Sequence, residues 1–278
     1  MRLAVHHVTR YRFAQPATHG LQRLRLRPRD CAVQQVVDWS LHIDGGKLED
    51  DYVDHNGNHT MLVSFGGPFA EPGAHDVVIT SRGVVETRDC AGVVGPHSGF
   101  MPLWLLTNQT PLTRPGPVMQ ALARRFAASG EARANTIEML HALSEAVSEA
   151  VAYEKGATCA ATSAEAAAAA GKGVCQDHAH VFIGIARALG VPARYVSGYL
   201  LMDEAAQEAG HAWAEAHVPG LGWVGFDVSN RLCPDSRYVR VAVGADYKDA
   251  APVTSLALGG GECHLSVALE VAQQVCAQ

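Results

Sequence analysis

The chain has 278 residues and is 48% hydrophobic, enough for one large folded domain or two modest ones and too apolar for a disordered chain. A net charge of −6 and a pI near 6.1 exclude a general nucleic-acid binder, which would be basic, and exclude docking on anionic lipid. Seven cysteines, an odd number in a chain of this length, do not form the framework of a disulfide-stapled mini-protein.

The first residues, MRLAVHHVTRYRFAQ, hold no apolar core of the ~7–15 residues a secretory leader needs. No run approaches the ~18 apolar residues of a membrane helix. The expectation is a cytoplasmic protein with reduced thiols and no membrane partner. No two cysteines are spaced C-x-x-C, which removes the commonest zinc-clip and redox signatures. Each thiol then reads as a small buried hydrophobe unless its surroundings set it apart.

Residues 1–90 read as β. Leu3, Val5, His7, Thr9, Tyr11 and Phe13 alternate along one face. Leu24 and Leu26 alternate with Arg23, Arg25 and Arg27 up to Pro28, which reads as a strand with a solvated arginine edge. Val37, Trp39, Leu41 and Ile43 form another period-two run, closed by Asp44-Gly45-Gly46. Further runs cover Met61 to Phe65 and Val77 to Thr87. Asp54-His55-Asn56-Gly57-Asn58 has calcium-loop residues, but His59 stands where an EF-hand needs glycine, so it reads as a hairpin turn. Short, evenly spaced strands predict an N-terminal β-sandwich over residues 1–90.

Residues 91–117 are rich in Gly and Pro and read as a linker, followed by a catalytic domain over 118–278. Asn135 is placed to cap a helix carrying Ile137, Leu140, Leu143, Val147 and Val151. Thr162-x-x-Glu165 reads as a capping box before an alanine run that Gly171 stops. The next helix spans about Cys175 to Leu189, with Phe182, Ile185 and Leu189 on its apolar stripe and Gly190 and Pro192 as its stop. Strands return at Arg194 to Leu201, His211 to His217, Trp223 to Val228, Tyr238 to Val243 and Leu265 to Val271, an α+β order.

Cys175 differs from the other cysteines because it begins a helix, after Gly171-Lys172-Gly173-Val174. A helix start offers free N–H groups and a positive dipole end, which suit a sulfur nucleophile and an oxyanion, and the glycines would leave room for substrate. Such a nucleophile needs a base. His211 opens a strand, Pro219 to Gly222 turns the chain, and the return strand brings Asp227 opposite Trp213, on the face His211 uses. A carboxylate there would orient the imidazole. In the alternative reading of this spacing, a strand histidine and a turn-flanking aspartate share no task.

The segments Gly173-Val174-Cys175-Gln176-Asp177-His178-Ala179-His180, Ala188 to Tyr199, His211-Ala212-Trp213 and Gly222 to Asp227, in this order, closely resemble the bacterial transglutaminase-like cysteine proteases. Tyr11 to Pro16 with Leu24 to Pro28 looks like the family's β-rich N-terminal region, and Val243 to Tyr247 with Pro252-Val253 like its C-terminal segment. The resemblance implies a papain-like transglutaminase core and a Cys-His-Asp triad of Cys175, His211 and Asp227. It implies a cysteine-dependent acyl-transfer enzyme, a hydrolase of the peptidase or amidase type, acting on a peptide or protein-derived amide without cofactor or metal. An amine-incorporating transglutaminase and a non-catalytic binding protein of the same fold are the alternatives. Two departures stand out: Val228-Ser229 replaces Pro-Thr after the triad carboxylate, which would loosen that loop, and Ala245 replaces an arginine.

Cys175, His178, His180 and His211 can also be written as zinc ligands, but His180 falls on a different helix face from Cys175 and His178. His178 and His180 read better as packed or surface residues, Asp177 as support for the helix start, and Arg194 as the partner of a sheet carboxylate. Cys159 reads as a loop thiol and Gln176 as structural or at the substrate edge. The backbone N–H of Cys175 is one oxyanion donor; Tyr153 and Trp104 are candidates for the second.

Overall fold

Alternation in the first strand, β1 (Arg2–Phe13), buries Leu3, Val5, His7, Thr9 and Phe13 on one face, as the period-two pattern requires. β2 (Ala17–Leu24), β3 (Gln34–Asp44), β4 (Gly46–Val53), β5 (His59–Phe65) and β6 (Asp76–Thr87) follow. The computed structural model describes residues 1–67, 76–127, 136–202, 206–207 and 209–274, and the helix cap expected at Asn135 lies outside them. The second strand ends at Leu24, so the expected solvated arginine edge is only half correct. Arg27 is exposed, but Arg25 is buried and its Nε lies 2.9 Å from Asp54. In β3 the ladder shifts between Val36 and Asp38, which makes Val37 a bulge residue and leaves it exposed despite its place in the alternation. β4 carries the sequence GKLEDDYV, whose exposed polar residues give no period-two signal. It pairs with β5 through the Asp54 to Asn58 turn.

The second half supplies β7 (Val93–Gly95), a 3₁₀ turn (Leu103–Thr107), α1 (Pro117–Ala127), α2 (Thr136–Ala150), β8 (Ala152–Tyr153), α3 (Ala164–Ala170), β9 (Lys172–Gly173) and α4 (Cys175–Ala188). Then come β10 (Ala193–Leu200), β11 (Ala206–Gln207), β12 (His211–Val218), β13 (Gly222–Phe226), β14 (Tyr238–Gly244), α5 (Tyr247–Ala250), β15 (Val253–Gly259) and β16 (Cys263–Gln273). The helix cap expected at Thr162 falls one residue later: Ser163 accepts from the Ala166 N–H. Glu165 instead reaches the start of α1, accepting from the N–H groups of Gly116, Val118 and Met119 at 2.8–3.0 Å.

Among the described residues the strands form a sheet ordered β11-β16-β1-β6-β3, a second ordered β15-β2-β5-β4, and a third ordered β14-β10-β12-β13-β7. The division into 1–90, 91–117 and 118–278 does not follow these sheets. β15 pairs with β2, and β16 pairs with β1 along its whole length, so the end of the chain completes the N-terminal sandwich. β7, from the expected linker, pairs with β13 and edges the third sheet. Strand pairing of this kind is set by partners far away in sequence, which local periodicity does not reveal.

The buried face of β1 serves two partners. Its C-terminal half packs on the β2–β5 sheet through Phe13 and Phe65, whose rings stack with centroids 5.5 Å apart. Its N-terminal half, through Leu3 and Val5, packs on Tyr199, Val239 and Val241 of the third sheet. The other face of the third sheet carries α4, where Phe182 stacks on Phe226 at 5.0 Å within a core that also takes in α1, α2 and α3. Covered on both faces, β10 is buried at all eight positions, and its neighbour pair Arg194–Glu215 is satisfied at 2.6 Å.

Candidate active site

The helix that opens on Cys175 starts as the sequence analysis expects. Asp177, three residues in, turns back so that its Oδ2 accepts from the Val174 N–H at 2.8 Å and from the Thr158 hydroxyl at 2.5 Å. This fixes the first turn, where a carboxylate also meets the positive end of the helix. Gly173 serves that cap: a Cβ there would stand 2.7 Å from the Asp177 side chain. Gly171, at φ +67°, closes α3 in the left-handed region. The two glycines are therefore consumed by local structure, and the room expected for substrate comes from elsewhere.

The hairpin of β12 and β13 has Ala214 opposite Phe226 and Val218 opposite Gly222. That register continues to Trp213 opposite Asp227, one residue beyond the end of β13. His211 at the start of β12 then reaches Asp227 with Nε2 to Oδ2 at 2.6 Å. Cys175 lines the same cavity as His211, close enough for its side chain to act on the imidazole. Burial would lower the His211 pKa, but the bonds and charges of Asp227 and Cys175 outweigh it and push the imidazole up to about 10. Asp227 is fully buried, which opposes its charge. The donors from His211, Tyr238 and Asn230 reverse that effect and hold the carboxyl below the usual carboxylate range. Tyr238 donates its hydroxyl at 2.7 Å, and Asn230 its side-chain amide at 2.7 Å, both to Oδ2.

The structure thus brings Cys175, His211 and Asp227 together. His178 and His180 stand apart from them. His178 donates from Nε2 to the Val151 carbonyl at 2.7 Å, and its Nδ1 accepts from Ser229 at 2.8 Å; burial lowers its pKa. His180 is fully buried and its Nε2 accepts from the Tyr247 N–H. Both are committed to protein partners as packed residues. Among the described residues, no group of three His, Cys, Asp or Glu is arranged to hold a metal ion. Trp104 is 65% exposed and away from the cavity, whereas Tyr153 lies beside the site: burial, Cys175 and Asp227 together raise the pKa of its hydroxyl. Gln176 lines the cavity and donates to the Ala160 carbonyl at 3.3 Å. The loop after Asp227 is not loosened by its altered residues: Val228 is buried in the core and Ser229 bonds His178, while the unaltered Asn230 bonds Asp227 itself. Where the second departure removes an arginine, the carbonyl of Ala245 accepts at 2.7 Å from the buried Arg187 of α4.

Cys175 and His211 open on a cavity of about 300 Å³. Tyr195, Ser197, Gly198 and Tyr199 of β10 form one side, and β1, β16 and the segment after β2 form the other. Sequence reasoning missed Tyr238 and Asn230, which lie 11 and 3 residues beyond Asp227. Asn230 was legible as a short-range side-chain acceptor or donor in a turn; Tyr238 carried no local signal.

A helix-borne cysteine facing a histidine and a buried carboxylate on an antiparallel sheet defines the papain-like, transglutaminase-type α+β class. The chain belongs to the transglutaminase-like superfamily. The model of that superfamily matches residues 120–228, and that of the bacterial transglutaminase-like N-terminal region matches residues 3–86. The protein ML0607 of Mycobacterium leprae is 30% identical over 284 residues, covering 97% of this chain and 98% of its own. Rv2569c of Mycobacterium tuberculosis is 28% identical over 278 residues, covering 92% and 87%. Both carry the name "Uncharacterized protein". A solved structure from Cytophaga hutchinsonii, named "a Putative Cysteine Protease", shares the fold with a TM-score of 0.76 at 21% identity, over 98% of this chain and 90% of that one. No helix among the described residues is long and apolar enough to cross a membrane.

Proposed function

We propose that this protein is a cysteine-dependent acyl-transfer enzyme, a peptidase or amidase, with Cys175 as nucleophile, His211 as base and acid, and Asp227 as the orienting carboxylate. The observation that carries this reading is the 2.6 Å bond from His211 Nε2 to the buried Asp227, with Cys175 lining the same cavity as His211. Nε2 of His211 is held by Asp227, so Nδ1 is the nitrogen left for the cysteine. With the imidazole pushed up to about 10, His211 carries a proton across the neutral range, and in the proposed reactive form that proton is the one given up by the sulfur.

The Cys175 sulfur attacks the carbonyl carbon of a bound amide, and the carbonyl π pair moves onto oxygen. N–H groups at the start of α4 face the developing oxyanion. As the tetrahedral species collapses, the C–N bond breaks and His211 delivers its proton to the departing nitrogen. The thioester left on Cys175 is then resolved by water, with His211 removing the water proton and the sulfur leaving with its bonding pair. An amine in place of water would give the transamidation product.

Cytoplasmic location is part of the same proposal and is supported by six free cysteines among the described residues. Replacing Cys175 by Ala should remove amide turnover to background on a peptide library read by mass spectrometry. Retained turnover overturns the reading. Adding a labelled primary amine to the wild-type reaction separates hydrolysis from transfer, since only transfer places the label on the acyl product.

A further inference from the structure

The cavity at Cys175 lies where β1 passes from one partner sheet to the other. His7, Thr9 and Tyr11 of β1 and Leu265 and Val267 of β16 line the wall facing the catalytic pair, and Arg25 borders the same space from the segment leaving β2. His7 accepts and donates only within the wall. Its ring bonds the Tyr199 hydroxyl at 2.9 Å and the Thr9 hydroxyl at 3.1 Å, and burial pushes its pKa down to about 4, so it is neutral. No carboxylate lines the cavity among the described residues.

Arg25 is 2% exposed, and its Nε donates to Asp54 Oδ2 at 2.9 Å. The pairing is one-pronged. Asp54 has other donors: Asn58 Nδ2 and the Thr60 hydroxyl on Oδ2, and the N–H groups of Asn56 and Asn58 on Oδ1. Nη1 of Arg25 is buried and has no acceptor among the described residues. Nε makes the side chain's one hydrogen bond among the described residues, so a guanidinium bordering the cavity has donors to spare, and the best complement of such a charged donor is an anionic oxygen.

We propose that Arg25 receives a carboxylate of the substrate, so that the N-terminal sandwich sets the enzyme's specificity for amides that carry a carboxylate on a neighbouring side chain or at the chain terminus. The apolar side chains of Val253, Leu265 and Val267 hold the carbon skeleton between that carboxylate and the carbonyl at Cys175. This rests on the reading of Cys175 as the nucleophile.

The test is protection of Cys175 from iodoacetamide by three compounds of equal size. These are N-acetylglutamine, with a terminal carboxylate; N-acetylglutamic acid α-amide, with a side-chain carboxylate; and N-acetylglutamine amide, with none. At least one carboxylate compound should protect with an apparent Kd about tenfold or more below that of the diamide, the scale of one charge-assisted hydrogen bond. Which one does so identifies the source of the carboxylate. In Arg25→Gln that ratio should fall to about one, and in Arg25→Lys, which keeps a charge beside Asp54 but loses the planar fork, it should lie between. Equal protection by all three compounds in the wild type overturns the proposal without any variant, as does a ratio that survives in Arg25→Gln. Calorimetric binding of the same compounds to Cys175→Ala protein gives the Arg25 answer with no chemistry at the sulfur. Failure of the catalytic reading, seen as turnover by that variant, is thus read separately.

Discussion

Three donors converge on one oxygen of Asp227, and their combined effect reaches His211. The His211 Nε2–H, the Tyr238 hydroxyl and the Asn230 amide, each within 2.7 Å of Oδ2, keep the buried carboxylate charged, and the carboxylate in turn keeps the imidazole charged. The His211 pKa is raised from 6.5 to about 10, so the protonated imidazole favours the folded state. That contribution is fully present below about pH 6.5 and is lost as the pH climbs through about 10. Asp227→Asn removes a main raising influence. The stability difference between wild type and Asp227→Asn should therefore shrink steadily from pH 6.5 to pH 10 in denaturant titrations. A constant difference would show that the pair does not titrate as a unit. In the proposed mechanism the same variant should lose about 10³–10⁴-fold in turnover, because an amide in place of the carboxylate no longer fixes the imidazole tautomer.

At the scale of elements, α4 and the β12–β13 hairpin hold the three residues because each is anchored by side chains remote from the chemistry. Phe182 on Phe226 clamps the helix to the hairpin, so the Cys175 end cannot slide relative to His211 without opening the core. Glu165 locks the helical layer in a different way: one carboxylate from α3 satisfies three N–H groups at the start of α1. Such groups have no intrahelical acceptor of their own. Replacing Glu165 by Ala should cost about 2 kcal/mol, more than an ordinary one-bond cap, measured as a fall in the urea midpoint with the slope unchanged. The local sequence around Glu165 suggests a capping box for its own helix. The carboxylate is instead drawn to α1 because Ser163 already caps α3, leaving Glu165 free to reach across.

For the whole molecule, the sandwich and the third sheet behave as one packed body. Leu3, Val5, Trp39, Val85, Leu269 and Val271 share a core with Tyr199, Val239 and Val241. Asn58, in the β4–β5 turn, acts as a strand substitute along the edge of β14: its amide donates to the Val243 carbonyl at 2.7 Å and accepts from the Val243 N–H at 2.8 Å. Asn58→Ala leaves both backbone groups buried and unpaired, at a cost of about 2–4 kcal/mol. Scanning calorimetry of this variant should still show a single transition, lowered in temperature, because the apolar interface remains. Two separated transitions would mean that the sandwich and the third sheet fold independently.

The meeting of Cys175, His211 and Asp227 was legible because its signals are local. A glycine-bearing lead-in and a Gly-Pro stop bound α4, and a short turn after Val218 sets the hairpin register that brings Asp227 beside His211. Periodicity of two marks β1, because alternate side chains on a strand face opposite sides whatever they pack against, whereas β10, buried at all eight positions, carries no such alternation. What the chain's local pattern does not encode is which surfaces meet. Only tertiary structure returns β15 and β16 to the first sheets, turns Arg25 from a solvated edge into a buried guanidinium paired with Asp54, and delivers Tyr238 to Asp227. These pairings join segments separated by up to about 270 residues, as Leu3 and Gln273 are. They are chosen by the burial of whole sheet faces, a sum over many residues that no single stretch of sequence carries.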